Sequence, residues 1–179
     1  MRSDEIAKLI RSYLEPGNQI LDIGAGSCLI DDVLVKKYGF DITPIDVVYY
    51  NKTSLELVIY DGKHLPFKDN TFDVSLLIFV LHHEKDQKNL LKEAIRVAKK
   101  RIIIVEDTPQ NWFEYILWLF WDHLLNFFHS TAFSKAHRVV RWFSIFEKYN
   151  LKVTYFKNFR TFFPVLKTYQ HTIFVLDKV

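Results

Sequence analysis

The stretch ILDIGAGS, residues 20–27, is where residue type and spacing first point to chemistry. A short apolar run ends in Asp22, and Gly24 and Gly26 follow with Ala25 between them. A helical pattern resumes at Leu29, with Ser27 expected to cap it. Glycines here permit a tight turn and let a ligand approach the backbone closely. The helix start behind the turn adds N–H groups that have no partner within the helix. A pyrophosphate-binding turn usually wants a third glycine, G-x-G-x-x-G, and that position is Leu29. Asp22 would repel a pyrophosphate but suits a cation.

Two further acids fall at matching places. Asp46 stands twenty residues after Gly26, at the expected end of the second strand. An acid there reaches ribose hydroxyls with two acceptor oxygens; the plainer alternative is a turn carboxylate before Val47-Val48. Asp41, the competing acid, falls at the start of that strand, on the wrong edge. Asp61 follows the third strand and can accept from an adenine amino group, or make an Asx-type turn with Gly62. His82 and His83 come just past the fourth strand. In open α/β sheets ligands bind beyond the carboxyl ends of the strands, so these residues converge on one edge. S-adenosylmethionine has no phosphate and carries an ammonium and a sulfonium, so it fits this set better than a dinucleotide.

The elements that must position these residues alternate. Helical spacing is expected over 3–14, ended by Pro16-Gly17, then over 29–38 and 86–99. Strands are expected at 19–23, 41–47, 56–60, 74–80 and 101–106. Residues 111–128 and 136–149 read as two more helices. LKVTYFK (151–157) and HTIFVLD (171–177) read as strands separated by a loop with Pro164, and so as an antiparallel edge pair. The pattern predicts an α/β fold, a doubly wound, Rossmann-like seven-stranded sheet.

The run D-I-G-A-G-S, then Asp46, then D-G-K-H-L-P-F-K-D-N-T-F-D and V-L-H-H resembles the class I methyltransferases. Within them it is similar to the branch that includes the ubiquinone/menaquinone-biosynthesis type enzymes. The resemblance covers residues 18–106. It implies S-adenosylmethionine as cofactor, with Asp22, Gly24, Ala25, Gly26 and Ser27 around its methionine part. It implies Asp46, beside Val47, at the ribose, and Asp61, Gly62 and Lys63 at the adenine. It places Leu77 near the ammonium and His82 near the methyl group. It also implies a sheet that ends in an antiparallel hairpin. One domain over 1–179 is expected: a cofactor-binding core (18–106), a helical segment supplying the acceptor pocket (107–150) and a terminal hairpin (151–179). The stretch before the first strand is shorter than the helical lid of many relatives.

The implied reaction is methyl transfer to a small molecule; the rival reading is a non-catalytic S-adenosylmethionine-binding partner subunit. A base is needed only where the acceptor must lose a proton. His82 and His83 are the candidates, Asp107 and His137 the weaker ones. Against these roles, His83 would order its loop and Asp107 would cap the next helix. Residues 111–129 are apolar nearly all round, which leaves three readings open: a core helix, a wall of an apolar or aromatic acceptor pocket, or a dimer or membrane-surface contact.

Composition narrows the classes. The 179 residues are 49% hydrophobic and 25% charged, as in a globular domain. The single cysteine, Cys28, excludes an internal disulfide and reads as a packing residue. No Cys/His or carboxylate set has metal-ligand spacing, so no metal is expected. Neither a signal peptide nor a spanning helix is expected, and cytoplasmic residence is the default. Residues 131–179 hold nine Lys/Arg against Glu147 and Asp177, which leaves the rest of the chain acidic. That basic third is a solvated face or an attractor for acidic partners. The absence of an N/D-P-P-Y motif argues against base methylation in nucleic acid.

Overall fold

The computed structural model describes residues 2–126, 136–160 and 170–179, with backbone only over 121–126. In chain order the elements are α1 (Arg2–Ile10), β1 (Gln19–Ile23), α2 (Leu29–Tyr38), β2 (Asp41–Asp46), β3 (Val58–Ile59), β4 (Phe72–Ile78) and α3 (Gln87–Val97). There follow β5 (Ala98–Asp107), α4 (Trp112–Asn126), α5 (Val139–Lys148), β6 (Leu151–Phe159) and β7 (His171–Lys178).

The strands form one sheet in the order β3-β2-β1-β4-β5-β7-β6. Neighbours from β3 to β5 run parallel. Only β7 runs against its neighbours, β5 and β6. The order reverses between β1 and β4, so the carboxyl ends of these two strands frame a crevice. Strands covered on both faces need apolar central runs, and β4 and β5 have them: Leu76, Leu77 and Ile102 to Val105 are wholly buried. One core cluster packs α3 and α5 against the sheet through Leu91, Ala94, Trp142 and Phe146. The other packs α1 and α2 on the opposite face through Ile6, Ile10 and Leu34.

Some boundaries differ from expectation. The third strand keeps two residues on the ladder, Val58 and Ile59, because β3 is an edge strand paired only with Ile45 and Asp46. The first helix stops at Ile10 and tightens into a 3₁₀ turn over Arg11–Tyr13. The fifth strand begins at Ala98, which pairs with Phe72 and so ends α3 early. The expectations for residues 127–129 and for the loop with Pro164 lie outside the described residues.

Two basic residues of the last third work inside the fold. The Lys178 ammonium donates to the Ile95 and Ala98 carbonyls and to Asn70, and Arg160 pairs with Glu114. No described helix is long and apolar enough to cross a membrane.

Candidate functional site

The glycine turn is held by the end of β2. The N–H groups of Gly24 and Ala25 donate to the Ile45 carbonyl at 2.8 and 3.2 Å. Gly26 N–H donates to Asp46 Oδ2 at 2.8 Å, and Val47 and Val48 N–H donate to Asp46 Oδ1 at 2.7 and 3.1 Å. One carboxylate thus ties the turn after β1 to the turn after β2. Gly24 has φ +77°, and a Cβ there would lie 2.3 Å from Val80 Cγ2. The turn therefore requires glycine on two counts: backbone conformation and close approach of the segment after β4. Val80 was not legible as a site residue in the sequence.

Ser27 does not cap α2. Cys28 takes the N-cap position in the left-handed conformation, with no side-chain cap bond, and the Ser27 carbonyl instead accepts from Lys52 N–H. The chain turns one residue later than expected, which carries Ser27 out of the capping position. Burial and then the nearby acids Asp31, Asp22 and Asp46 push the Cys28 thiol up to about 12, so it stays protonated at neutral pH.

Asp61 makes an Asx-type turn. Its Oδ1 accepts from the Lys63 and His64 N–H groups at 2.8 and 3.0 Å, and these bonds hold the exposed carboxyl below its ordinary pKa. Asn89 fixes the Lys63 carbonyl to α3. Gly62 lies against Val47, 3.2 Å from Cγ1 to an ideal Cβ. Asp22, Gly24 to Ser27, Asp46, Val47 and Asp61 to Lys63 thus meet at one edge of the sheet. Leu77 does not join them. Its side chain is wholly buried in the core on the α3 and α5 face, and Ile78 and Phe79 line the crevice in its place. Phe79 is held at φ +54°, a conformation that costs a non-glycine residue energy and is often found at functional sites.

Behind the turn sits a buried acid pair. Asp22 on β1 and Asp31 in the first turn of α2 are both buried. Burial and then the facing Asp31 push the Asp22 carboxyl well above the ordinary range, and burial raises Asp31 too. Raised carboxyls bind protons that the unfolded chain has already released, so folding stability should fall as pH rises above about 4. Asp31→Asn should flatten this part of the curve and raise Tm near neutral pH. Calorimetry across the range decides it; an unchanged slope would show that the pair holds no extra proton.

The ends of β4, β5 and β7 hold two histidine–carboxylate pairs. His82 Nδ1 lies 2.6 Å from Glu106 Oε2, and Glu106 Oε1 accepts from Leu81 N–H at 2.8 Å. His82 and Glu106 are buried, and the His82 ring packs on His83 and, edge-on, on Trp118. In the second pair His171 Nδ1 lies 2.6 Å from Asp107 Oδ1, and Trp118 Nε1–H donates to Asp107 Oδ2 at 2.8 Å. Asp107 is therefore not the cap of α4; Asn111 takes that role by accepting from Glu114 N–H. Burial alone would raise the Asp107 carboxyl, but the His171 hydrogen bond, with His82 and Arg2 nearby, brings it below its usual value. His137 lies apart, bonded to Gln87 in a groove of about 820 Å³ between α3 and α5. Glu106, His171 and Trp118 were missed from the sequence. The available signal was RIIIVED, an apolar strand closing on two acids. Buried charges at a strand's carboxyl end need partners.

Helix α4 turns Trp118 inward to this edge, while Trp112, Phe113, Ile116 and Phe120 are exposed. Over the part of 111–129 whose side chains are described, that outer face ranges from 46% to 74% exposed, so there the helix is not buried all round.

Residues 21–105 match the family described as a methyltransferase domain. A demethylmenaquinone methyltransferase of Streptomyces avermitilis is 32% identical over 117 residues, 60% of this chain and 49% of that protein. A 2-methyl-6-phytyl-1,4-hydroquinone methyltransferase of Synechocystis sp. is 31% identical over 120 residues, 61% of this chain and 38% of that protein. The chain spans about half or less of the length of these curated relatives. Among solved structures, an S-adenosylmethionine-dependent methyltransferase of Methanosarcina mazei is alike in fold. Its TM-score is 0.73 at 20% identity, with 96% of this chain and 97% of that one covered.

Proposed function

We propose that the chain, whose residues 21–105 match the family described as a methyltransferase domain, transfers a methyl group from S-adenosylmethionine to a small apolar or aromatic acceptor. The carrying observation is the turn itself, docked on the Asp46 carboxylate in front of the buried acid Asp22. So acidic a setting repels phosphate and suits a ligand with an ammonium and a sulfonium. The residues fit the cofactor: Asp22 Oδ1 is buried without a donor, and a Cβ on Gly26 would meet only open space. We assign Asp22 and Gly24 to Ser27 to the methionine end. Asp46 with Val47 takes the ribose, and Asp61, Gly62 and Lys63 take the adenine. Asp46 already accepts three N–H groups, which leaves about one of a carboxylate's four lone-pair sites for a ribose hydroxyl.

When bound, the cofactor supplies an electrophilic methyl group on a good sulfonium leaving group. The chain then has to orient the acceptor, exclude water and remove a proton where one must leave. His82, oriented by Glu106, is the residue we assign to take that proton, and His83 orders the loop beside it. Trp118 and α4 shield the edge from water. An aromatic acceptor is supported by Phe79, which lines the crevice. It is also supported by the names of the two relatives, one for demethylmenaquinone and one for a phytyl hydroquinone.

Isothermal titration tests the cofactor half. S-adenosylmethionine and S-adenosylhomocysteine should bind wild type at micromolar Kd. Asp46→Asn keeps an acceptor for the Val47 and Val48 N–H groups but sets an NH₂ against Gly26 N–H and loses the acceptor toward ribose, so it should weaken both by at least about tenfold, roughly 1.4 kcal/mol. Folded wild-type protein that binds neither would defeat the proposal. Binding without turnover on any of a panel of hydroquinones, phenols and other apolar acceptors would defeat its catalytic half.

A further inference from the structure

We propose that Asp22 and Asp31 read the charge at the cofactor's amino-acid end: the two carboxyls share one proton before the ligand binds and release it to solvent when an ammonium group arrives, so that Asp31 sets the affinity for ligands carrying that group. This rests on the S-adenosylmethionine reading above and deepens it.

The two side chains come from different elements, β1 and the first turn of α2, and face one another in the interior. Asp22 is 3% exposed and Asp31 not at all. Asp22 Oδ1 and both Asp31 oxygens receive no hydrogen bond from the protein. Asp22 also lines a cavity of about 190 Å³ that it shares with Gly24, Ala25, Ser27, Arg2 and Phe79. Ionised carboxylates only accept, so two of them with no donor can satisfy each other only through a proton held between them.

The surroundings leave that proton in place until a cation comes. Asp46 on β2 adds negative charge, but its oxygens are engaged by three N–H groups. Asp32 on α2 is paired with Lys36 at 2.7 Å. The Cys28 thiol is protonated. From α1, Arg2 lines the cavity with its guanidinium over the Phe79 ring at 4.6 Å. The end of β4 and the residue after it contribute Ile78 and Phe79, neither of which titrates. The start of α2 favours an anion at Asp31 once one forms. An ammonium brings three donors to oxygens that receive none from the protein, and adds a positive charge beside them. No covalent bond to the ligand forms: one carboxyl O–H bond breaks, its proton passes to the buffer, and the ligand remains an ammonium.

Titration calorimetry in buffers of different ionisation enthalpy counts the protons released. At about pH 6.5, more than a unit below an ordinary α-amino pKa, the ligand's own amine is already charged. S-adenosylmethionine and S-adenosylhomocysteine, which share the ammonium, should each release close to one proton. 5′-Methylthioadenosine, which keeps the nucleoside but lacks the amino acid, should release none. Asp31→Asn should abolish the release and weaken the two amino-acid ligands about tenfold more than methylthioadenosine. Tight binding by wild type with no proton release overturns the inference, as does unchanged release from Asp31→Asn. If wild type binds none of the three, the cofactor reading fails and this inference fails with it. A ¹³C-carboxyl titration of the protein alone separates the two failures. An aspartate that stays protonated well above the ordinary range, and is lost in Asp31→Asn, is expected whatever the ligand; its absence overturns the pair itself.

Discussion

Gly24→Ala should cost this chain both stability and cofactor. At φ +77° an L-residue sits in the left-handed region, at a cost of roughly 1–2 kcal/mol. The new methyl would also lie 2.3 Å from Val80 Cγ2 and 2.8 Å from its Cβ. Val80 lies two residues past the last ladder residue of β4 and packs against the core, so the turn must shift instead. Overpacking of this kind typically costs about 1–3 kcal/mol. Together these are a large share of the roughly 5–15 kcal/mol that a domain has in total. The turn also carries Gly26 N–H to Asp46, so its displacement should weaken S-adenosylmethionine by a hundredfold or more, about 2.7 kcal/mol. Denaturant melts and titration calorimetry read the two effects separately. The double variant Gly24→Ala with Val80→Ala should remove the 2.3 Å overlap but leave the 2.8 Å contact with Cβ and the backbone strain, and so recover part of the affinity. A Gly24→Ala protein with wild-type melting and wild-type affinity would show that the turn is not built as described.

The second large effect is expected on turnover. In Glu106→Gln the carboxylate that faces His82 Nδ1 becomes an amide. Its oxygen can still accept from Leu81 N–H, so the 3₁₀ turn over Leu81–His83 should survive. Its NH₂ then points at His82 Nδ1 and favours the tautomer protonated on the other ring nitrogen, which cannot take a proton from an acceptor there. General base catalysis contributes about 10²–10⁴-fold, so kcat should fall by about that factor while cofactor Kd stays within a few-fold. His82→Ala should lose about as much, and the two substitutions should not add, because they disable one unit. The split between kcat and Kd matters here. A purely structural pair would lower stability and affinity together and leave kcat of the bound enzyme near normal, and that result would remove His82 from the chemistry. Asp107→Asn supplies the contrast. Asp107 holds His171 and Trp118 rather than His82, so it should act on the packing of α4 first.

Much of the edge built by the glycine turn and Asp46 was legible before any fold was known, for reasons that are local. A tight turn needs glycine whatever surrounds it, and a strand end followed by G-x-G states that need in a few residues. Asp46 was legible because a strand of known length after a helix of known length puts one residue at its carboxyl end. The sheet class followed from the same rhythm, and β4 and β5 were legible as central strands because a run of consecutive apolar residues suits a strand covered on both faces. Locality also limits the reading. Ser27 suited a cap by residue type, yet one left-handed residue moved the cap to Cys28. Asp61 admitted two readings, and the hydrogen bonds from Lys63 and His64 show the Asx turn. Leu77 was placed at the site by its position along β4, but neighbours across the sheet draw its side chain into the core.

The sequence by itself determined the alternation of strands and helices, the turn that must be glycine, and the acids at the ends of β1 and β2. Tertiary structure decided which buried charges meet. Glu106 finds His82 across 24 residues, Asp107 finds His171 across 64, and Asp22 faces Asp31 only because α2 folds back against β1. Backbone conformation is set by a residue and its near neighbours, so it is written locally. A buried carboxyl's protonation and hydrogen bonds are set by whatever the fold brings within a few ångströms, and that depends on every strand order and helix crossing in the chain.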